Sequence, residues 1–271
     1  METSLAIIGV GNIGNAIAEG LRLAGHLPAE RIIVTRRKAH LLEPLAARGF
    51  TTLADNGEAV ARAGVVIVAV DPQHLDPLLD EIAPALDPAK HVLISIVSGA
   101  GIAQIAGRIG KAVPVVRAMP NTAIAIRESM TCLAAPRGEE RALEIARRLF
   151  DPLGRTLVID EEQMVPATAL CACGIAFFLR AIRAASQGGI EIGFHSAEAL
   201  LMAAQTARGA ASLLLAAGGG HPEDQIDRVT TPRGCTIAGL NRMEHEGFSS
   251  ALIRGIVVSA EKAAKLYVRE E

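Results

Sequence analysis

Aromatic residues are scarce in this sequence, whose 271 residues include no tryptophan and one tyrosine, Tyr267. Its helices must therefore pack through alanine, glycine and aliphatic side chains, with few large ring anchors. Cysteine is also sparse. Cys132, Cys171, Cys173 and Cys235 lack the density and spacing of a disulfide framework, and a chain of this length that is 50% apolar can bury an adequate core without one. A zinc site lacks its pattern too: residues two apart on a helix, as Cys171 and Cys173 are, point to different faces, and no second Cys or His pair follows at ligand spacing. Small buried side chains are the simpler reading of the two. The seven histidines form no HExxH pattern, and His245, between Glu244 and Glu246, belongs to a solvated helix. No serine sits in a GxSxG elbow, which removes the usual basis for a hydrolase.

Excess charge of one sign is missing as well. The chain has 27 basic and 29 acidic residues, a net charge of -2, so it has neither a polybasic face for nucleic acid nor an acidic tail. Mean hydropathy is positive, yet the longest apolar stretch, Val165 to Leu179, falls short of the roughly 20 residues of a membrane span and contains Pro166 and Gly174. It reads as a buried helix, and no membrane partner is expected. Met1 runs directly into an apolar strand with no charged leader or cleavage site, which makes a reducing cytoplasm the expected location.

What is present is alternation. Short β-branched runs at 5–10, 31–35, 65–70, 91–96 and 114–118 are separated by helix-like segments, the pattern of a parallel sheet covered on both faces. Val65 to Val70 is apolar almost without interruption, as in a strand buried on both sides. Two further strands, 130–135 and 155–159, flank a helix over 138–150. After Asp160 the pattern changes: Asp160, Glu161, Glu162 and Gln163 resemble a helix cap with an acidic first turn, and helical sequence follows almost to the end. The expected organisation is an α/β domain over 1–160 and an all-helical domain over 161–271. Gly188-Gly189, Gly218-Gly219-Gly220 and Pro232 divide the second half, with Ser196 as the cap of a helix running to Ala217.

Gly9-Val10-Gly11-Asn12-Ile13-Gly14 follows the first strand and opens a helix, the context that gives a GxGxxG string its meaning. Gly9 permits the tight turn, Gly11 lets backbone approach a pyrophosphate, and Gly14 lets helix and strand pack closely, while the helix N-terminus offers amide donors to the anion. The N-terminal domain is thus expected to be a doubly wound, mostly parallel Rossmann sheet. About 20 residues on, where an NAD-preferring fold places an acid for the ribose hydroxyls, stand Thr35, Arg36, Arg37 and Lys38. Guanidinium groups offer paired donors to a 2′-phosphate. The cofactor expected is NADP, with NADPH preferred over NADH.

More specific strings lie further on: Arg117-Ala118-Met119-Pro120-Asn121-Thr122 at the end of a strand, Ala69-Val70-Asp71-Pro72, Ser98-Gly99, and the run from Val229 through Thr230-Thr231-Pro232-Arg233-Gly234-Cys235-Thr236. Together they resemble the pyrroline-5-carboxylate reductase family over essentially the whole chain. That resemblance implies a Rossmann domain joined to a helical dimerisation domain, an obligate homodimer or an oligomer of dimers, and an active site formed between subunits. It implies reduction of a small cyclic imine, 1-pyrroline-5-carboxylate, to L-proline. Cofactor contacts would come from Gly9, Gly11, Asn12, Ile13, Gly14, Thr35, Arg36, Arg37, Asn56, Val70, Asp71, Pro72, Ser98, Gly99 and Asn121. Val229, Gly234, Cys235 and Thr236 would hold the substrate, its carboxylate on backbone amides, with the Thr236 hydroxyl orienting the ring nitrogen.

The sequence departs from the commonest family pattern at three places. Asp71 stands where lysine is usual, Cys171-Ala172-Cys173-Gly174-Ile175-Ala176-Phe177 where Ser-Gly-Ser-Gly-Pro-Ala-Tyr is usual, and Arg233-Gly234 where Gly-Gly is usual. Three rival readings exist. A β-hydroxyacid dehydrogenase has a similar plan but needs a lysine in its helical domain, and no lysine occurs between Lys111 and Lys262. A reductase of another cyclic imine and a non-catalytic NADP-binding dimer stay open at this stage, although Asn121, Gly234 and Thr236 would have no purpose in a mere binding module.

Overall fold

A computed structural model describes residues 4–216 and 218–267. The chain forms two compact units, one taking the residues up to Cys173 together with the segment from Ser259 onward, the other spanning Gly174–Val258.

The first unit is built on eight strands: β1 Leu5–Ile8, β2 Ile32–Thr35, β3 Thr51–Leu53, β4 Val65–Val68, β5 Val92–Ser95, β6 Val115–Met119, β7 Ser129–Ala134 and β8 Gly154–Val158. They lie in the order β3-β2-β1-β4-β5-β6-β7-β8. All neighbours are parallel except β6 and β7. The reversal of chain order between β1 and β4 leaves a crevice beyond the carboxyl ends of the strands, where open α/β sheets bind ligands. The alternation of runs and helices foretold this sheet, except for β3. Its three half-buried residues at the edge, Thr51, Thr52 and Leu53, are too short a run to show a period.

The apolar continuity of β4 has a direct cause. Val65 and Ile67 belong to a core shared with Ile17 and Leu21 of the helix Asn12–Ala24 and with Leu149 and Phe150, whereas Val66 and Val68 belong to a second core with Leu75, Leu79, Ile82 and Ile105. Successive strand side chains face opposite layers, so every position is buried. The helix Asn12–Ala24 reaches its layer through Gly20, where a Cβ would collide with the Ile124 carbonyl.

The second unit consists of the helices Gly174–Glu191, Ser196–Leu215, Pro222–Val229 and Cys235–His245, with most of Phe248–Ala263. Gly188 and Gly189 do not break a helix, as the sequence suggested, but lie inside Gly174–Glu191. A Cβ on Gly189 would stand 3.0 Å from the Ala199 Cβ, so this glycine serves close helix packing, and Gly193, at φ +113, makes the break. The cap of the next helix is His195, with Ser196 already its first residue. That helix ends at Leu215, and the expected end at Ala217 falls outside the described residues.

The stretch from Val165 to Leu179 is helical but only partly buried: Ala167, Thr168, Ala169 and Gly174 are covered. Leu170, Phe178 and Leu179 are each more than half exposed. The helical segment Glu161–Glu191 is long and apolar enough, by length and composition, to cross a membrane.

Candidate functional site

Most of the expected cofactor residues gather around one cleft of about 710 Å³ in the first unit, at the carboxyl ends of β1, β2 and β4. Gly9 turns the chain out of β1 at φ +90, and the amides of Gly9 and Val10 donate to the Thr35 carbonyl at 3.2 and 3.0 Å. Gly11 caps the helix Asn12–Ala24 without any side-chain capping bond, and a Cβ there would meet nothing within 4 Å. Asn12, Ile13 and Gly14 thus form an uncapped first turn, an arrangement suited to an anion.

Thr35, Arg36, Arg37 and Lys38 continue from β2 along the cleft wall. Thr35 is buried and its Oγ1 has no hydrogen-bond partner among the described residues, a cost that a bound polar group would relieve. Among the described residues the three cations make no ion pair. Asn56, Val70 and Asp71 line the same cleft. The Asn56 amide donates to Glu81 Oε1 at 3.0 Å, and Pro72 opens the short helix Pro72–His74. His74, Pro77, Leu78 and Glu81 also line the cleft, and sequence reasoning missed them. Their spacing of three, one and three marks a single helical face, but without the fold it looks like any amphipathic helix.

Ser98, Gly99 and Asn121 lie along the same sheet edge, following β5 and β6, outside the lining of this cleft. Gly99 adopts φ +87, and a Cβ there would approach the Tyr267 backbone nitrogen to 3.0 Å. The Asn121 side chain is already engaged: Oδ1 accepts from the Ala123 amide at 3.0 Å, and Nδ2 donates to the Cys171 carbonyl at 3.3 Å. Beneath this turn Arg117 is buried, its Nη1 3.5 Å from Glu161 Oε1. Burial pushes the guanidinium pKa down, and the Glu161 carboxylate opposes that shift. Glu161 also accepts from the Ile102 amide at 2.6 Å, so it caps the helix Ile102–Ile109 in addition to opening its own helical segment.

The four expected substrate residues lie in the second unit. Val229 closes the helix Pro222–Val229, Gly234 caps the helix Cys235–His245, and Cys235 and Thr236 are the first two residues of that helix. The Gly234 amide donates to the Thr231 carbonyl at 2.9 Å, closing a turn with Arg233 at φ +61. Glycine is the natural residue for that position in a Pro-initiated turn, so the arginine is held in a conformation costly for a side chain. A Cβ on Gly234 would stand 2.5 Å from Thr231 Oγ1. No side chain caps this helix either, leaving the amides of its first turn open, and Val229, Cys235 and Thr236 are exposed.

Two family models match the chain: one described as "NADP oxidoreductase coenzyme F420-dependent" over residues 4–99, the other as "Pyrroline-5-carboxylate reductase dimerisation" over 161–266. Pyrroline-5-carboxylate reductase 1 of Dictyostelium discoideum is 52% identical across 100% of this chain, which spans about half of that relative, 51% of its length. Pyrroline-5-carboxylate reductase 2 of the same organism is 45% identical over 97% of this chain and 92% of its own length. The fold matches a crystal structure of Plasmodium falciparum pyrroline carboxylate reductase with NADP bound, with a TM-score of 0.90 at 21% identity over 98% of this chain and 99% of that one. At 45% identity to a relative whose length it covers almost completely, and with a dimerisation-region model matched over 161–266, the chain belongs to the pyrroline-5-carboxylate reductase family.

Proposed function

We propose that this protein reduces 1-pyrroline-5-carboxylate to L-proline with NADPH, as a cytoplasmic homodimer that can associate further into an oligomer of dimers. The observation that carries the reading is the pairing of two uncapped helix N-termini with different surroundings. One faces a cleft bearing three cations that make no ion pair among the described residues, and the other sits in a glycine turn of the dimerisation region. Gly9 makes the turn, Gly14 lets the helix approach β1 and Gly11 leaves the pyrophosphate position clear of a side chain, Arg36 and Arg37 take the 2′-phosphate, and Thr35 supplies an unspent hydroxyl. That the same fold carries NADP in the Plasmodium structure supports this assignment. A bound reduced nicotinamide supplies the hydride.

The chain's own residues are left with positioning. Cys235 and Thr236 offer backbone amides to the substrate carboxylate at the start of their helix, and the Thr236 hydroxyl holds the ring nitrogen. A protonated imine already carries the proton that the amine needs, so no strong base is required, and alignment supplies most of the rate enhancement. The helix Ser196–Leu215 supports dimer formation: among its described residues only Ala199 is buried, while Leu200, Leu201, Leu213 and Leu215 are each more than half exposed. Uncovered apolar surface on that scale marks an interface.

The deciding experiment follows absorbance of NADPH with 1-pyrroline-5-carboxylate, and in parallel with NADH and with cyclic imines lacking the carboxylate. Turnover should be fastest with the carboxylated imine and NADPH. Preference for an uncarboxylated ring would favour reduction of a different imine, a reading to which Arg233 and the segment Cys171–Phe177 give some support.

A further inference from the structure

Cys132 on β7 and Cys171 in the π-helical segment Thr168–Cys173 are 39 positions apart in sequence, yet meet across one small core. Cys132 is buried with Met119, Ala134, Met164 and Ala167, and half-buried Cys171 packs against that cluster, whereas Cys173 lies outside it. The position of Cys171 is held from its other side, because its carbonyl accepts the Asn121 Nδ2 hydrogen bond. Neither sulfur has a part in hydride transfer, and the segment carrying Cys171 departs from the serine-containing string usual in the family.

We propose that Cys171 and Cys132 form a reversible thiol–disulfide couple, with Cys171 as the peroxide-reactive thiol and Cys132 as the residue that resolves it. The division of roles follows from exposure: Cys171 is a half-buried residue that a small peroxide can approach, while Cys132 is buried and can react only with a sulfur brought to it. The neighbouring Cys132 thiol pulls the Cys171 thiol down to about 7, against the opposing effect of burial, while Cys171 and burial together push Cys132 up. A thiolate is the reactive form. In the first step the Cys171 sulfur attacks one peroxide oxygen; the O–O bond breaks, and hydroxide leaves and is protonated to water. In the second, Cys132 attacks the sulfur of the resulting sulfenic acid; the S–S bond forms, the S–O bond breaks, and a second water departs with the Cys132 proton. Two electrons pass from the thiols to peroxide, and a cellular dithiol returns them.

The test uses the full chain, reduced, freed of reductant and treated with hydrogen peroxide at neutral pH. Unreacted thiols are then blocked, and the digest is mapped by mass spectrometry. The expected result is a linked Cys132–Cys171 peptide pair, loss of two of the four thiols, and recovery of both with dithiothreitol. In Cys132→Val, a replacement suited to a strand, Cys171 should instead be trapped as a sulfenic acid by dimedone. If that variant fails to fold, the wild-type map decides alone. Cys171 joined to Cys173 or to a second chain, Cys171 oxidised to sulfinic acid with no bridge in the wild type, or four surviving thiols under conditions that oxidise a control dithiol would each overturn the proposal. The readout is chemical and does not depend on which imine the protein reduces, so failure of the proposed reaction leaves it standing.

Discussion

Gly9 and Val70 are packed so closely that a Cβ at position 9 would stand 2.5 Å from Val70 Cγ1. The turn out of β1 and the segment following β4 therefore approach through a missing side chain, and the space beside them is the cleft lined by Gly11, Thr35 and Arg36.

Gly9→Ala should weaken NADPH binding severely while leaving the sheet folded. The φ of +90 and the collision with Val70 act together, and a strained backbone position of this kind costs about 1 to 3 kcal/mol. Titration calorimetry with NADPH measures the loss, and circular dichroism checks the fold. Wild-type affinity in Gly9→Ala would mean that the cleft is not where the pyrophosphate lies.

Replacing Arg36 and Arg37 together by aspartate should raise the Michaelis constant for NADPH far more than that for NADH. Charge-assisted hydrogen bonds contribute about 1.5 to 3 kcal/mol each, so the preference should shift by an order of magnitude or more. Steady-state kinetics with both cofactors decides it, and equal effects on the two would exclude this loop as the 2′-phosphate site.

Thr236→Val keeps the branched shape and removes the hydroxyl. Catalytic efficiency with the imine should fall by the equivalent of about 1 to 3 kcal/mol, the worth of one hydrogen bond, with NADPH affinity unchanged. Single-turnover hydride transfer in a stopped-flow instrument separates the two effects. If the variant transfers hydride at the wild-type rate, Thr236 has no orienting role.

Leu201 is 70% exposed in the lone chain, and Leu201→Glu should disrupt the homodimer. A leucine buried at an interface contributes roughly 1.5 to 3 kcal/mol, and leaving a carboxylate there adds a desolvation cost. Sedimentation velocity should show dissociation at protein concentrations where the wild type stays dimeric. An unchanged assembly would place the interface elsewhere.

Much of this molecule is decided by order along the chain. β-branched runs separated by helical segments determine a parallel sheet, because strand and helix periods are local properties. The glycine turn after β1, the cations after β2 and the Thr231-to-Thr236 turn are also local, since each depends on a few consecutive residues and on what φ they tolerate. Other features exist only because distant elements meet. The three-residue strand β3 is defined by its pairing with β2 and has too few residues to signal itself. His74, Pro77, Leu78 and Glu81 become cleft residues only once β1 and β4 are neighbours, and Gly189 proves to be a packing residue only when a second helix lies against its own. The meeting of Cys132 with Cys171 belongs to the same class: no period or motif links the two positions, and only the packing of the π-helical segment into the core beside β7 brings one sulfur to the other.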